Sequence, residues 1–291
     1  MIHETINQLI EELTQSHSQE DIYEAKKYFQ KFSGEIFEDD KSYESRMGSF
    51  LEWFTFDRSV PGSSLTPLQQ YLENTDPSQS PEKWELAEAI GKSIHSLLIA
   101  TKIKNDCVWV VDLVDDVKYQ VQENQGSMLF NSDDVFEGRL IHYKGQYYFT
   151  DHFCYHPKPT VSFIKSKIKN LKANEEKALA AEKRLQKEIT VPQKNLEKVN
   201  TKITKLSAKL SSTTKEKKIQ SLNDEISVLD KQKEQLKTQI SDLENQLNQL
   251  RTVTLEGKLR DNRFFLIRKL SYMSLKWERS RQIDVRDIYQ D

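Results

Sequence analysis

The chain has 291 residues, 30% of them charged and 36% hydrophobic, with a net charge of −2. This composition excludes both a disordered polymer and one large apolar core, and leaves room for a domain of about 150 residues plus an extended element. No apolar run approaches the roughly 18 residues needed to span a membrane, and Cys107 and Cys154 are too few for a disulfide scaffold.

The near-neutral total hides a split. Residues 1–160 hold 27 Asp/Glu against 14 Lys/Arg, net −13, and residues 161–291 hold 18 against 29, net +11. Six of the seven prolines and seven of the eight glycines precede Thr160, so turns belong to the first half and long uninterrupted helices to the second. The opening Met1-Ile2-His3-Glu4-Thr5 lacks the basic and apolar regions of a signal peptide, so a cytoplasmic location with reduced thiols is expected.

In chain order, Ile6, Leu9, Ile10 and Leu13 share one helical face. Ser18 followed by Asp21 reads as the cap of a second helix, which Gly34 ends. A third helix runs from about Lys41 to Phe56, with an apolar face widened by Trp53 and Phe56. Thr66-Pro67 and Ser80-Pro81 each place proline at a first helical position, which brings the expectation to five helices in residues 1–96. The period then shortens, and Leu97-Leu98-Ile99, Val108–Val111, Tyr119–Val121, Leu140-Ile141 and Tyr147–Phe149 read as strands. Asn105-Asp106, Asp115-Asp116, Asn124-Gln125-Gly126 and Lys144-Gly145 supply the turns between them. Residues 97–159 are therefore expected to form a small antiparallel β-sheet, in its favoured form an SH3-like barrel.

From 160 to 257 the pattern is that of an antiparallel coiled-coil hairpin with its tip near 211–216. The first arm carries a seam at Ile164, Ile168, Leu171, Ala178, Leu185, Ile189, Leu196, Val199, Ile203, Leu206 and Leu210. In the second, Ile219, Ile226, Ile240 and Leu247 alternate with Leu222, Leu229, Leu236, Leu243 and Leu250 in strict heptads. Pro192 falls on the seam without breaking its phase, which predicts a kink rather than a boundary. Residues 258–291 form a closing helix and tail, whose apolar Phe264, Phe265, Ile267, Leu270, Met273 and Trp277 are expected to dock on the first domain. The fold class is α+β.

His152, Cys154 and His156 alternate, so on a strand they would share a face within reach of a zinc ion. Three ligands on one strand cannot surround a metal, and no fourth has the right spacing. Solvated polar residues opposite core-facing Phe153 and Tyr155 explain the pattern better, so no metal or cofactor is expected. The Asp112/Asp115/Asp116 and Asp133/Asp134 groups read as turn residues, since no calcium-loop spacing accompanies them. The chain has no phosphate loop, dinucleotide glycine pattern or nucleophile elbow, so it is not expected to be an enzyme.

The strongest candidate surface is basic. Lys194, Lys198, Lys202, Lys205, Lys209, Lys215, Lys217 and Lys218 face only Glu197 and Glu216, giving net +6 over residues 194–218. A rod with a basic end resembles in outline the tRNA-contacting arm of seryl-tRNA synthetases, but without the synthetase body. It also looks like the hairpins of Gre-type transcript-cleavage factors, whose tips are acidic, so their chemistry does not carry over. Phe50-Leu51-Glu52-Trp53-Phe54, Phe56-Asp57-Arg58, Gly62, Thr66-Pro67-Leu68, Tyr71-Leu72 and Gly138-Arg139-Leu140 together resemble the signature of an uncharacterised bacterial protein family. That resemblance implies no activity. The functional expectation is a scaffold whose lysines meet a protein partner with an acidic surface; the alternative is a nucleic-acid or ribonucleoprotein binder.

Overall fold

The computed structural model describes residues 2–123, 129–251, 256–280 and 282–290. The chain falls into two compact units, one made of Met1–Asn170 with Arg263–Asp291, the other of Leu171–Asn262.

The first unit opens with five α-helices: α1 (Ile2–Gln15), α2 (Gln19–Ser33), α3 (Tyr43–Glu52), α4 (Pro67–Asn74) and α5 (Pro81–Gly91). Their ends follow the local chemistry. The Ser18 hydroxyl accepts from the Asp21 amide, and Thr66 and Gln69 form a reciprocal capping box. Gly34 leaves α2 at φ 82°, where a side chain would be strained and would also run into the Tyr272 ring. The expected third helix does reach its aromatic end, but its last turn, Trp53–Asp57, is π-helical, with the Arg58 amide bonded to the Trp53 carbonyl at 2.9 Å. Leu9, Ile10, Phe56, Leu68, Leu86 and Ile90 bury one apolar cluster, and Phe29, Phe50, Trp53 and Phe54 a second, aromatic one.

Six strands follow: β1 (Ile94–Lys104), β2 (Cys107–Asp112), β3 (Lys118–Gln122), β4 (Val135–Tyr143), β5 (Gln146–Phe149) and β6 (Cys154–His156). Asn105 and Asp106 both take positive φ, as do Lys144 and Gly145, which is the backbone of two-residue hairpins. The turn expected at Asn124-Gln125-Gly126 lies outside the described residues. The strand order is β1-β2-β3-β5-β4-β6, and β1 pairs along its other edge with β4. The expected wholly antiparallel sheet is corrected on this point. β3 and β5 run parallel, Val121 beside Tyr147, so the sheet is mixed and not a clear barrel. The long connection before β4 carries that strand across to β1, and the tight turn at Lys144-Gly145 then returns β5 alongside β3 in the same direction.

Helix α6 (Val161–Ser211) begins in the first unit, where Ile164 and Ile168 are buried, and runs on through Pro192 into the second. Helix α7 (Glu216–Gln249) follows Ser212–Lys215, then come α8 (Glu256–Arg279) and the short α9 (Val285–Ile288). In α7, Ile219, Leu222, Ile226, Leu229, Lys233, Leu236, Ile240, Leu243 and Leu247 are the residues withdrawn from solvent, and every residue between them is exposed. Lys233, intermediate in exposure, falls at the heptad position that the apolar pattern skipped. In α6, Leu185, Ile189, Pro192, Leu196, Val199, Ile203, Leu206 and Leu210 are withdrawn in the same rhythm. The side chain of Ala178, placed on this seam by the pattern, lies outside those described. Gln193 donates to Glu244 at 3.4 Å and Arg251 to Glu182 at 2.6 Å, so the two helices of this unit touch along their flanks.

Candidate functional site

The π-helical turn organises the densest polar cluster of the first unit. An i→i+5 turn swings residues five apart toward the same side, so Glu52 and Asp57 both reach Arg139 on β4. The Arg139 guanidinium donates to Glu52 at 3.2 Å, to both Asp57 oxygens, and to Ser93 at 2.9 Å. Two residues earlier on the same strand, Glu137 projects from the same face. It accepts from His95 on β1 at 2.9 Å, from Ser49 on α3 at 3.3 Å, and from Arg268 and Ser271 on α8. Arg268 stacks on the Phe29 ring at 4.9 Å and donates to Ser49 at 3.1 Å. Glu52, Glu137, Arg139 and Arg268 are all buried.

The electrostatics follow from burial among opposed charges. Burial and the guanidinium groups of Arg139 and Arg268 pull His95 down to about 3, so its ring is neutral at pH 7 and donates Nε2–H to Glu137. Burial alone would weaken the charge on Arg139, but Asp57 and Glu52 overcompensate and raise its pKa. Arg268 is drawn down by burial and by Arg46 to about 9, which leaves it charged at neutral pH. Nucleophilic catalysis would need a serine hydroxyl handing its proton to the histidine. Here Ser49 and Ser271 both donate to Glu137 instead.

The three residues considered as zinc ligands serve separate contacts. His152 precedes β6, and its ring lies where a Cβ on Gly48 would stand, which explains a glycine inside α3. Cys154 is half-buried near Arg46, and burial pushes its thiol up. His156 is buried, with Nδ1 3.0 Å from the Tyr289 hydroxyl. Among the described residues, no three His, Cys, Asp or Glu side chains come together to hold a metal, and Cys107 and Cys154 are both free thiols. No described helix is long and apolar enough to cross a membrane.

His156 yields a pH prediction. Burial lowers it from 6.5 to about 4, so the unfolded chain binds the extra proton first and stability falls as pH drops from about 6.5 toward 4. The full effect is on the order of 3 kcal/mol, at about 1.4 kcal/mol per pKa unit. Urea unfolding at a series of pH values should show a shallower acid loss in His156→Gln than in the wild type; parallel curves would refute it.

Lys194, Lys198, Lys202, Lys205 and Lys209 on α6, with Lys215, Lys217 and Lys218 at and beyond the turn, are all exposed. None makes an ion pair among the described residues.

The first unit is thus a mixed α+β body in which buried charge fastens two helices to a sheet, and the second is a pair of long helices with a lysine-rich surface. The chain belongs to the DUF7986 family, a family of unknown function whose model matches residues 1–191. No curated protein and no solved structure matches it. The matched span holds Glu52, Asp57, His95, Glu137 and Arg139; Arg268 and the lysines from 194 to 218 lie beyond it. Sequence reasoning singled out the signature containing Glu52, Asp57 and Arg139 but missed Glu137, His95 and Arg268. The available signals were two charged residues bracketing Gly138 within the otherwise apolar run Val135–Ile141, and one arginine directly after Phe264–Ile267.

Proposed function

We propose that the protein is a non-enzymatic scaffold in which α6 and α7 form an antiparallel coiled-coil hairpin whose lysine face docks on an acidic surface of a protein partner. The observation that carries this reading is the row of exposed lysines, without an ion pair among the described residues, on helices whose withdrawn residues follow the heptad seam. The side-chain bonds from Gln193 to Glu244 and from Arg251 to Glu182 support two helices lying side by side in opposite directions. The buried network supports a structural rather than catalytic role for the first unit, because Ser49, Ser271 and His95 all contact Glu137 and Ser93 accepts from Arg139. A nucleic-acid partner would be favoured by the net +6 of residues 194–218. Yet residues 194–218 hold no arginine to grip a phosphate bidentately and no aromatic to stack on a base.

The test is capture from native lysate, with and without nuclease, by the wild type and by Lys205→Glu/Lys209→Glu/Lys215→Glu. Partners that survive nuclease and vanish with the charge reversal are expected. Recovery of nuclease-sensitive material alone would transfer the assignment to nucleic acid.

A further inference from the structure

Two charged surfaces, one on each unit, hold unpaired residues of opposite sign. On α6, Lys198, Lys202, Lys205 and Lys209 are separated by four, three and four residues, so they form one stripe about 16 Å long. The opposite flank of the seam carries uncharged Gln193, Asn200 and Ser207. All four lysines are exposed.

In the first unit, the segment from the end of α2 into α3 carries Glu35, Glu38, Asp39 and Glu44, also exposed and without an ion pair among the described residues. This segment is held in shape. Asp40 accepts from the Phe37 amide at 3.0 Å and from Arg279 at 2.6 and 2.8 Å, and Arg279 also donates to the Glu35 carbonyl at 2.8 Å. The same guanidinium lies over the Phe37 ring at 4.6 Å, and that ring is 48% exposed. The backbone that carries these carboxylates is thereby ordered before any partner arrives. Their mutual repulsion is relieved by an opposing row of cations.

We propose that the lysine stripe of one copy docks on the acidic Glu35–Glu44 segment of a second copy. This rests on reading the lysine face as a protein-docking surface, and it names the first partner as the chain itself.

Sedimentation equilibrium of the full chain tests it. The wild type is expected to dimerise at about 50 mM salt and to weaken roughly tenfold or more at about 500 mM, since screening shortens the reach of exposed pairs. Lys198→Glu/Lys202→Glu/Lys205→Glu/Lys209→Glu and Glu35→Lys/Glu38→Lys/Asp39→Lys should each be monomeric, with circular dichroism confirming that both are folded. Mixed in equal amounts they should form a heterodimer, because each variant's altered surface then meets its opposite on the other. A monomeric wild type at low salt, a mixture that stays monomeric, or a dimer that persists in both variants would each overturn the proposal. If it falls while the lysates still deliver a nuclease-resistant partner lost on charge reversal, the scaffold reading stands and only the identity of the partner changes.

Discussion

Replacing Glu137 with alanine is expected to destabilise the first unit by about 3–5 kcal/mol, because it strips the carboxylate from a buried Arg268 and leaves that guanidinium uncompensated. Ser49, Ser271 and His95 lose an acceptor at the same stroke. All four tryptophans, Trp53, Trp84, Trp109 and Trp277, belong to the first unit, so fluorescence-detected urea unfolding reports that unit without interference from the long helices. For a unit of this size the loss corresponds to a fall in Tm of about 10 °C. Glu137→Gln keeps the shape but not the charge, so it should recover only part of the loss. Glu137→Leu/Arg268→Leu should recover much more, since removing both charges together leaves no buried ion behind. A Glu137→Ala variant within about 1 kcal/mol of the wild type would show that the network contributes little to holding α8 on the sheet.

The second large effect is expected at Arg139, and the informative substitution is the conservative one. Arg139 reaches Glu52 through Nε, and Asp57 and Ser93 through its terminal nitrogens, a planar fork bridging two carboxylates. A lysine ammonium is a point charge that cannot satisfy both acids from one position. Arg139→Lys should therefore cost on the order of 2–3 kcal/mol and Arg139→Ala more, because Glu52, 4% exposed, would then be buried beside no cation. Should lysine restore wild-type unfolding while alanine does not, charge alone would be sufficient and the bidentate geometry would not matter.

Several parts of the fold were legible because their causes are local. The caps at Ser18 and Thr66, the stop at Gly34 and the hairpin turns at Asn105-Asp106 and Lys144-Gly145 each depend on residues within a few positions of one another. The seam of the second unit was legible for a related reason. In a long helix the side chains that meet the neighbour recur at a fixed interval, and burial in α7 follows the heptads from Ile219 to Leu247. Only Lys233 escaped, since a pattern of apolar residues does not register a lysine at a heptad position.

The sequence by itself determined where the five helices and five of the six strands lie, the division of turns and charge near Pro159, and the pair of long amphipathic helices. It also determined that eight lysines stand among two acids, since that is a matter of counting. Tertiary structure alone decided that β5 lies parallel to β3, because strand order depends on where a long connection delivers the chain and not on the alternation within any strand. It alone decided that Glu52, Asp57, Arg139, Glu137, His95 and Arg268 form one network. The turn that sets Glu52 and Asp57 on one side is π-helical, so the α-helical spacing used to read the sequence assigns them to different faces. Arg268 joins from 131 positions beyond Glu137. No local propensity encodes a contact at that distance, because it exists only once burial has removed water as the competing partner for both charges.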